Sequence, residues 1–241
     1  INDCNPSIVV VSNDDQYNKI KNICERNISI KKIFSFENLS ELNKNSFINV
    51  NTIIEKKSEN ITFELKLSAQ RSDPACIIYT SGTQGNPKGV ILSHGGILSN
   101  CEGGYELLKP ILEKETRFLT WLPLSHSYEH AVQFIQIAVG AKVYYAESID
   151  KLIKNMSECP PHIMTAVPRF YQNLYQKINT TFNKATGLKK VLINNTINLG
   201  TKKLKHEKMT FFEKLINFFV DKLVRSKIKK QFGGSLKTFV S

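Results

Sequence analysis

The chain has 241 residues, 41% of them apolar and 22% charged, and its 33 Lys plus Arg against 21 Asp plus Glu give a formal net charge of +12. These proportions supply enough apolar side chains for a core and exclude collagen-like, mucin-like and wholly disordered classes. The five cysteines (Cys4, Cys24, Cys76, Cys101, Cys159) contain no C-x-x-C pair, so they signal neither a disulfide framework nor a zinc site and point to a reducing cytoplasm.

The chain opens at Ile1 with no Met and no basic leader before an apolar run, which predicts no secretory signal and reads as the interior of something longer. The β-branched run Ile8–Val11 predicts a strand. Asp14–Arg26 repeats Tyr17, Ile20 and Ile23 at helical spacing, and Lys32–Phe36 predicts a second strand. Residues 37–71 are polar and Asn-rich and predict a surface helix with a connecting loop. Further strands are expected at Ala75–Tyr79, Phe118–Leu122, Ala141–Ala146, His162–Val167 and Leu236–Val240. Ser93 is placed to cap a helix through Ile97 and Leu98, and Pro168 suits a first helical turn. Short apolar runs alternating with helical segments predict an α/β fold of mostly parallel βαβ sheet layers flanked by helices. The best apolar stretch, His130–Ala141, is broken by Gln133 and Gln136 and falls short of the roughly 18 residues of a spanning helix.

The basic excess is concentrated. Residues 184–230 hold 13 Lys plus Arg against Glu207, Glu213 and Asp221, so ten of the twelve net charges lie there. From Thr210 to Phe232, apolar residues at Phe212, Leu215, Ile216, Phe219, Leu223 and Ile228 recur at helical intervals, giving one apolar and one Lys-rich face. The expectation is that the apolar face packs on a core and the basic face is solvated. The competing reading is an interfacial helix on anionic lipid; nucleic acid is not an expected partner, nor is an obligate protein partner. Gly233 and Gly234 predict a turn into a buried final strand.

The segment with most chemistry is Tyr79-Thr80-Ser81-Gly82-Thr83-Gln84-Gly85-Asn86-Pro87-Lys88-Gly89-Val90, which follows an apolar strand. Glycines admit a phosphate close to the backbone, successive N–H groups form an anion-binding concavity, and the hydroxyls and Lys88 add donors and charge. A bland surface turn has no reason to combine Thr80, Ser81, Thr83 and Lys88 between glycines. A Walker A loop is disfavoured, because it needs Gly before Lys and Ser or Thr after it, whereas Pro87 and Gly89 stand here.

This loop resembles the signature loop of the acyl-adenylate-forming enzymes. Trp121-Leu122-Pro123-Leu124-Ser125-His126-Ser127-Tyr128-Glu129-His130 resembles their second core motif in the form seen in long-chain fatty acid CoA ligases. Thr165-Ala166-Val167-Pro168-Arg169-Phe170-Tyr171 is similar to the segment before the ligases' helical insertion, and Phe232–Ser241 to the approach to their next glycine-rich motif. The four matches stand in the family's order.

The resemblance implies ATP-dependent activation of a long-chain fatty acid to acyl-adenylate and then acyl-CoA, with ATP and Mg²⁺ and with coenzyme A as co-substrate. It implies phosphate contacts from Thr80, Ser81, Gly82, Thr83, Gln84, Gly85 and Lys88, with Thr83 also near the metal and Gln84 departing from the commoner Thr. It places His126 beside the acyl carboxylate and α-phosphate, making His126 and Lys88 the expected catalytic residues. His130, one turn on, is a candidate for the acyl tunnel; Arg169 is expected to be structural, and His126, His130 and Glu129 are better explained by the motif than by a metal site. Expected divisions are a βα lead-in (1–72), the phosphate loop and acyl-site motifs (73–182), a basic helical insertion (183–232) and a strand (233–241), all within part of a large N-terminal domain. The family's Tyr-Gly-x-Thr-Glu segment, ribose Asp and lid Lys have no counterpart up to Ser241, which predicts uncovered sheet edges, poor stability and impaired activity. A cytoplasmic enzyme, peripheral on the inner face of a membrane, is the expected setting. The alternative class is a non-catalytic remnant binding nucleotide phosphate or anionic lipid; an aryl or amino acid substrate is a third reading.

Overall fold

The computed structural model describes residues 1–40, 47–55, 68–81 and 86–241. The chain divides into two compact units, Ile1–Leu67 and Ser68–Ser241.

In the first unit, β1 (Ile8–Val11), α1 (Asp14–Arg26), β2 (Lys32–Ser35), β3 (Ile48–Asn49) and α2 (Val50–Glu55) follow in order, and the strands form a parallel sheet β1-β2-β3. The start of α1 is capped from both directions: Asn13 accepts from the Gln16 N–H at 3.2 Å, and the Gln16 side chain accepts from the Ser12 N–H at 2.8 Å. Strand alternation sends Val9 and Val11 into a core with Tyr17, Leu39 and Phe47, leaving Ile8 and Val10 more than half exposed. The surface helix expected between residues 37 and 71 is α2; residues 41–46 and 56–67 lie outside the described residues.

The second unit begins with β4 (Pro74–Thr80) and β5 (Lys88–Ser93), then α3 (His94–Leu108) and a short 3₁₀ turn, Lys109–Ile111. The strands form an antiparallel pair, a departure from the parallel expectation. Six residues from Lys88 to Ser93 are extended rather than looped, because an immediate return lets their backbone groups pair with β4. Ser93 caps α3 by accepting from the Gly96 N–H at 3.1 Å, as expected.

Next come β6 (Arg117–Thr120), α4 (Ser127–Ala138), β7 (Lys142–Tyr145), α5 (Leu152–Glu158), β8 (Ile163–Thr165), α6 (Pro168–Asn183), α7 (Gly187–Leu204), α8 (Phe211–Val220), a π-helical turn at Asp221–Arg225, α9 (Ser226–Gln231) and β9 (Thr238–Val240). The sheet is parallel throughout, in the order β7-β6-β8-β9. Adjacent residues serve opposite faces. Phe118 and Ile163 bury against Leu108, with Ile135 alongside; Leu119 and Met164 bury against Leu152 and Met156, with Phe170 and Phe232 alongside. The two faces are thus covered by α3–α4 and by α5–α9.

All seven expected strands are present, and the α/β fold with parallel βαβ layers is as expected. The last strand is a correction: β9 is an edge strand, half-buried rather than buried. The amphipathic segment is another, for much of its apolar face is solvent-facing: Phe211, Phe212, Leu215, Phe218 and Phe219 are all at least half exposed. No helix among the described residues is long and apolar enough to cross a membrane, and all five cysteines are free thiols.

Candidate active site

The sheet order locates the site. From β6 the chain crosses outward through α4 to β7; from β8 it crosses in the opposite direction to β9. Right-handed crossovers in opposite directions place their helices on opposite faces, so a crevice opens between the carboxyl ends of β6 and β8. Two of the four motifs singled out in the sequence, Trp121–His130 and Thr165–Tyr171, leave the sheet at these two points.

After β6, the turn at Pro123 is closed by the His126 N–H donating to the Pro123 carbonyl at 3.0 Å. His126 is the N-cap of α4, extended at φ −89°, and its Nδ1 accepts from the Tyr128 N–H at 3.3 Å. A neutral ring in this bond carries its proton on Nε2, where it is a donor. His126 is exposed, on the segment that leads from β6 into α4.

One wall is aromatic. Trp121 Nε1 donates to the Thr165 carbonyl at 2.7 Å, tying together the chains leaving β6 and β8. Its ring stands 5.4 Å from Phe170, which stacks on Phe239 and Tyr171 at 5.6 and 6.0 Å. Tyr128 Oη donates to the Val240 carbonyl at 2.7 Å, joining α4 to the end of β9. Arg169 lies exposed in the first turn of α6, where Pro168 occupies the expected first helical position.

Beneath this wall sits Glu129, fully buried. Neither of its carboxylate oxygens, nor Thr165 Oγ1, completes a hydrogen bond. Burial pushes the carboxyl above the usual range, and the nearby Thr165 and Thr120 hydroxyls offset this only in part. Its placement was visible in the sequence, since Glu129, Val132 and Gln136 share the buried stripe of α4. Its missing partners were not, because they depend on a strand 36 residues away.

His130 is half-buried. Its Nε2 lies 3.4 Å from Cys76 Sγ of β4, and its ring meets Phe134 edge-on at 5.1 Å, so it binds α4 to the hairpin. On that hairpin Thr80 and Lys88 face each other in register, and they and Ser81 are exposed where the strands enter their connection. Tyr79 pairs with Gly89, and a Cβ at residue 89 would come within 3.1 Å of the tyrosine ring. Gly82, Thr83, Gln84 and Gly85 lie outside the described residues. The structure therefore sets His126 and Arg169, both exposed, in the first turns of the helices that follow β6 and β8, with Trp121 tying the two strand exits together, and holds Thr80, Ser81 and Lys88 at one hairpin end. The described contact linking the groups, Cys76 with His130, falls toward the open end of the hairpin. Among the described residues no group of three or more His, Cys, Asp or Glu is arranged to hold a metal.

The profile of the AMP-binding enzymes, described as "AMP-binding enzyme", matches residues 1–224. The chain belongs to that family. Among its curated relatives, the peroxisomal long chain acyl-CoA synthetase 6 of Arabidopsis thaliana is 32% identical over 170 residues, covering 70% of this chain and 23% of that protein. The fatty acyl-CoA synthetase A of Dictyostelium discoideum is 29% identical over 228 residues, covering 88% of this chain and 32% of that one. The chain thus spans 23% to 32% of the length of the first relatives it matches. Among solved structures, apo MatB from Rhodopseudomonas palustris superposes with a TM-score of 0.56 at 20% identity, over 73% of this chain and 32% of that one. A red-emitting luciferase from Phrixothrix hirtus superposes at 0.54 and 18%, over 69% and 32%. These likenesses establish the shared α/β fold.

Proposed function

We propose that this chain acts in the ATP-dependent activation of a long-chain fatty acid. The fatty acid carboxylate attacks the α-phosphorus of ATP, the bond to pyrophosphate breaks, and acyl-adenylate forms; the sulfur of coenzyme A then takes the acyl group, releasing AMP. The observation that supports this reading is His126 exposed at the N-cap of the helix leaving β6, beside the switch point of the sheet, in a chain matched over residues 1–224 by the AMP-binding enzyme family. The curated relatives named long chain acyl-CoA synthetases support the choice of acid.

In this reading Nε2–H of His126 donates to the acyl carboxylate and steadies charge as the oxygen approaches phosphorus. Lys88, Thr80 and Ser81 would contact the ATP phosphates together with Gly82, Thr83, Gln84 and Gly85, and the Thr83 hydroxyl would be the side chain offered to a Mg²⁺ that enters with the nucleotide and neutralises phosphate charge. Exposed hydroxyls and an ammonium at the turn end of a hairpin are chemically suited to phosphate oxygens. The half-buried ring of His130, one turn further along α4, is assigned to the acyl chain.

Fatty-acid-dependent exchange of pyrophosphate into ATP tests the reading. His126→Ala and Lys88→Ala are expected to slow exchange by about 10²–10³-fold, with far-UV circular dichroism unchanged because both side chains are exposed. Saturable nucleotide binding without exchange for any carboxylate, in a folded form of the chain extended to the length of its curated relatives, would refute the ligase reading and leave a phosphate-binding protein.

A further inference from the structure

Helix α8 is built inside out. On a 100° wheel Phe211, Phe212, Leu215, Phe218 and Phe219 fall within an arc of roughly 120°, and the opposite side carries Glu213, Asn217 and Val220. A helix on a globular protein ordinarily turns its apolar arc inward. Here the polar side is the one fastened down. Glu213 accepts from Lys202 of α7 at 2.5 Å and closes a capping box with Thr210. Just beyond the helix, Asp221 pairs with Lys203 of α7 at 3.7 Å and with Arg225 at 2.5 Å. Arg225 also donates to Asn217 at 2.7 Å and to the Thr196 carbonyl of α7 at 3.2 Å. Val220 is completely buried, whereas Phe211 and Phe212 are 78% and 75% exposed.

This arrangement also separates charge. The acids of α8 and the π turn, Glu213 and Asp221, are held below their usual carboxylate range by hydrogen bonds from Lys202 and Arg225 respectively. Their ion pairs occupy Lys202, Lys203 and Arg225. Lys214 borders the apolar arc on the same wheel, and Lys205 and Lys208 before α8 and Lys222 after it are exposed on the segments that flank the helix. An outward row of four phenylalanines and a leucine bordered by lysines has the chemistry of an interfacial helix, for which headgroup phosphates meet the cations and acyl chains meet the rings.

We propose that α8 docks this chain on an anionic lipid bilayer, lying in the interface plane with Phe211, Phe212, Leu215, Phe218 and Phe219 inserted and the flanking lysines on the headgroups. α7 then acts as the platform that keeps the apolar arc turned outward. The inference is independent of the ligase reading, since it invokes neither His126 nor the hairpin.

Vesicle co-flotation of the purified chain tests it. Binding is expected to vesicles of phosphatidylcholine with phosphatidylserine, to be much weaker with phosphatidylcholine alone, and to fall as salt is raised. The pair Phe211→Ser with Phe218→Ser, and separately Lys208→Glu with Lys214→Glu, should each lower anionic-vesicle partitioning by more than about tenfold with circular dichroism unchanged. Failure to float with anionic vesicles would overturn the proposal, as would binding indifferent to the phenylalanine pair. Self-association without lipid that the same pair abolishes, in place of vesicle binding, would assign the face to a second copy and also overturn it.

Discussion

Glu129 lies between structure and chemistry: a carboxyl with no exposed surface and no completed hydrogen bond, under the wall that joins β6, β8 and β9. Since burial raises its pKa in the folded chain, its contribution favours folding most where it is protonated, below the ordinary value of 4.5. That contribution is lost as pH rises through the folded value. Glu129→Gln keeps the shape and removes the charge, so the variant is expected to be more stable than the parent by about 1 kcal/mol at neutral pH. The difference should close as pH falls into the ordinary carboxylate range, measured by urea unfolding across that interval. The place of His126 just after a strand was legible in the sequence. Its tautomer was not, because it follows from a bond to the Tyr128 N–H that exists only once α4 forms.

At the scale of elements, two adjacent glycines at the entry to β9 separate two effects. Both are left-handed, φ 76° at Gly233 and 79° at Gly234. A Cβ at 233 would overlap the Met156 carbonyl and come within 2.9 Å of Pro160 Cα, whereas at 234 it would meet nothing within 4 Å. Gly234→Ala is expected to cost about 1 kcal/mol, the backbone penalty alone. Gly233→Ala should cost at least about 3 kcal/mol, because backbone must move as well. Denaturant midpoints of the two variants check the difference. The glycine pair was readable as a turn, and the seven strands were readable as β-branched or aromatic runs. β5 was hidden because Lys88 and Gly89 carry no strand signal and its pairing with β4 is a tertiary fact; β3, two residues long, leaves no periodicity to detect.

On the scale of the molecule, each unit carries its own buried cluster: Val9, Val11 and Tyr17 in the first, Leu119, Met156 and Met164 in the second. The single tryptophan, Trp121, belongs to the second. Tyr17→Ala, at a side chain 2% exposed, is expected to destabilise the first unit by about 3 kcal/mol. Amide exchange over residues 8–35 should accelerate while the urea midpoint of Trp121 emission stays in place. A moved midpoint would show that the two cores unfold as one. The amphipathic character of residues 210–232 was plain in the sequence, but not its direction, which is set by ion pairs to Lys202 and Lys203 on another helix.

The π turn at Asp221–Arg225 acts as a phase shifter between α8 and α9. Upstream of it the apolar stripe looks out to solvent. Within the turn and downstream of it, Leu223, Val224, Ile228 and Phe232 join residues of α6 and α7 in lining a cavity of about 660 Å³. A π turn holds one more residue than the α-helix it interrupts, and one residue is worth about 100° of rotation. Deleting one residue there would let the helix run true and swing the two stripes into line, so the length of this segment is constrained even where its composition is free.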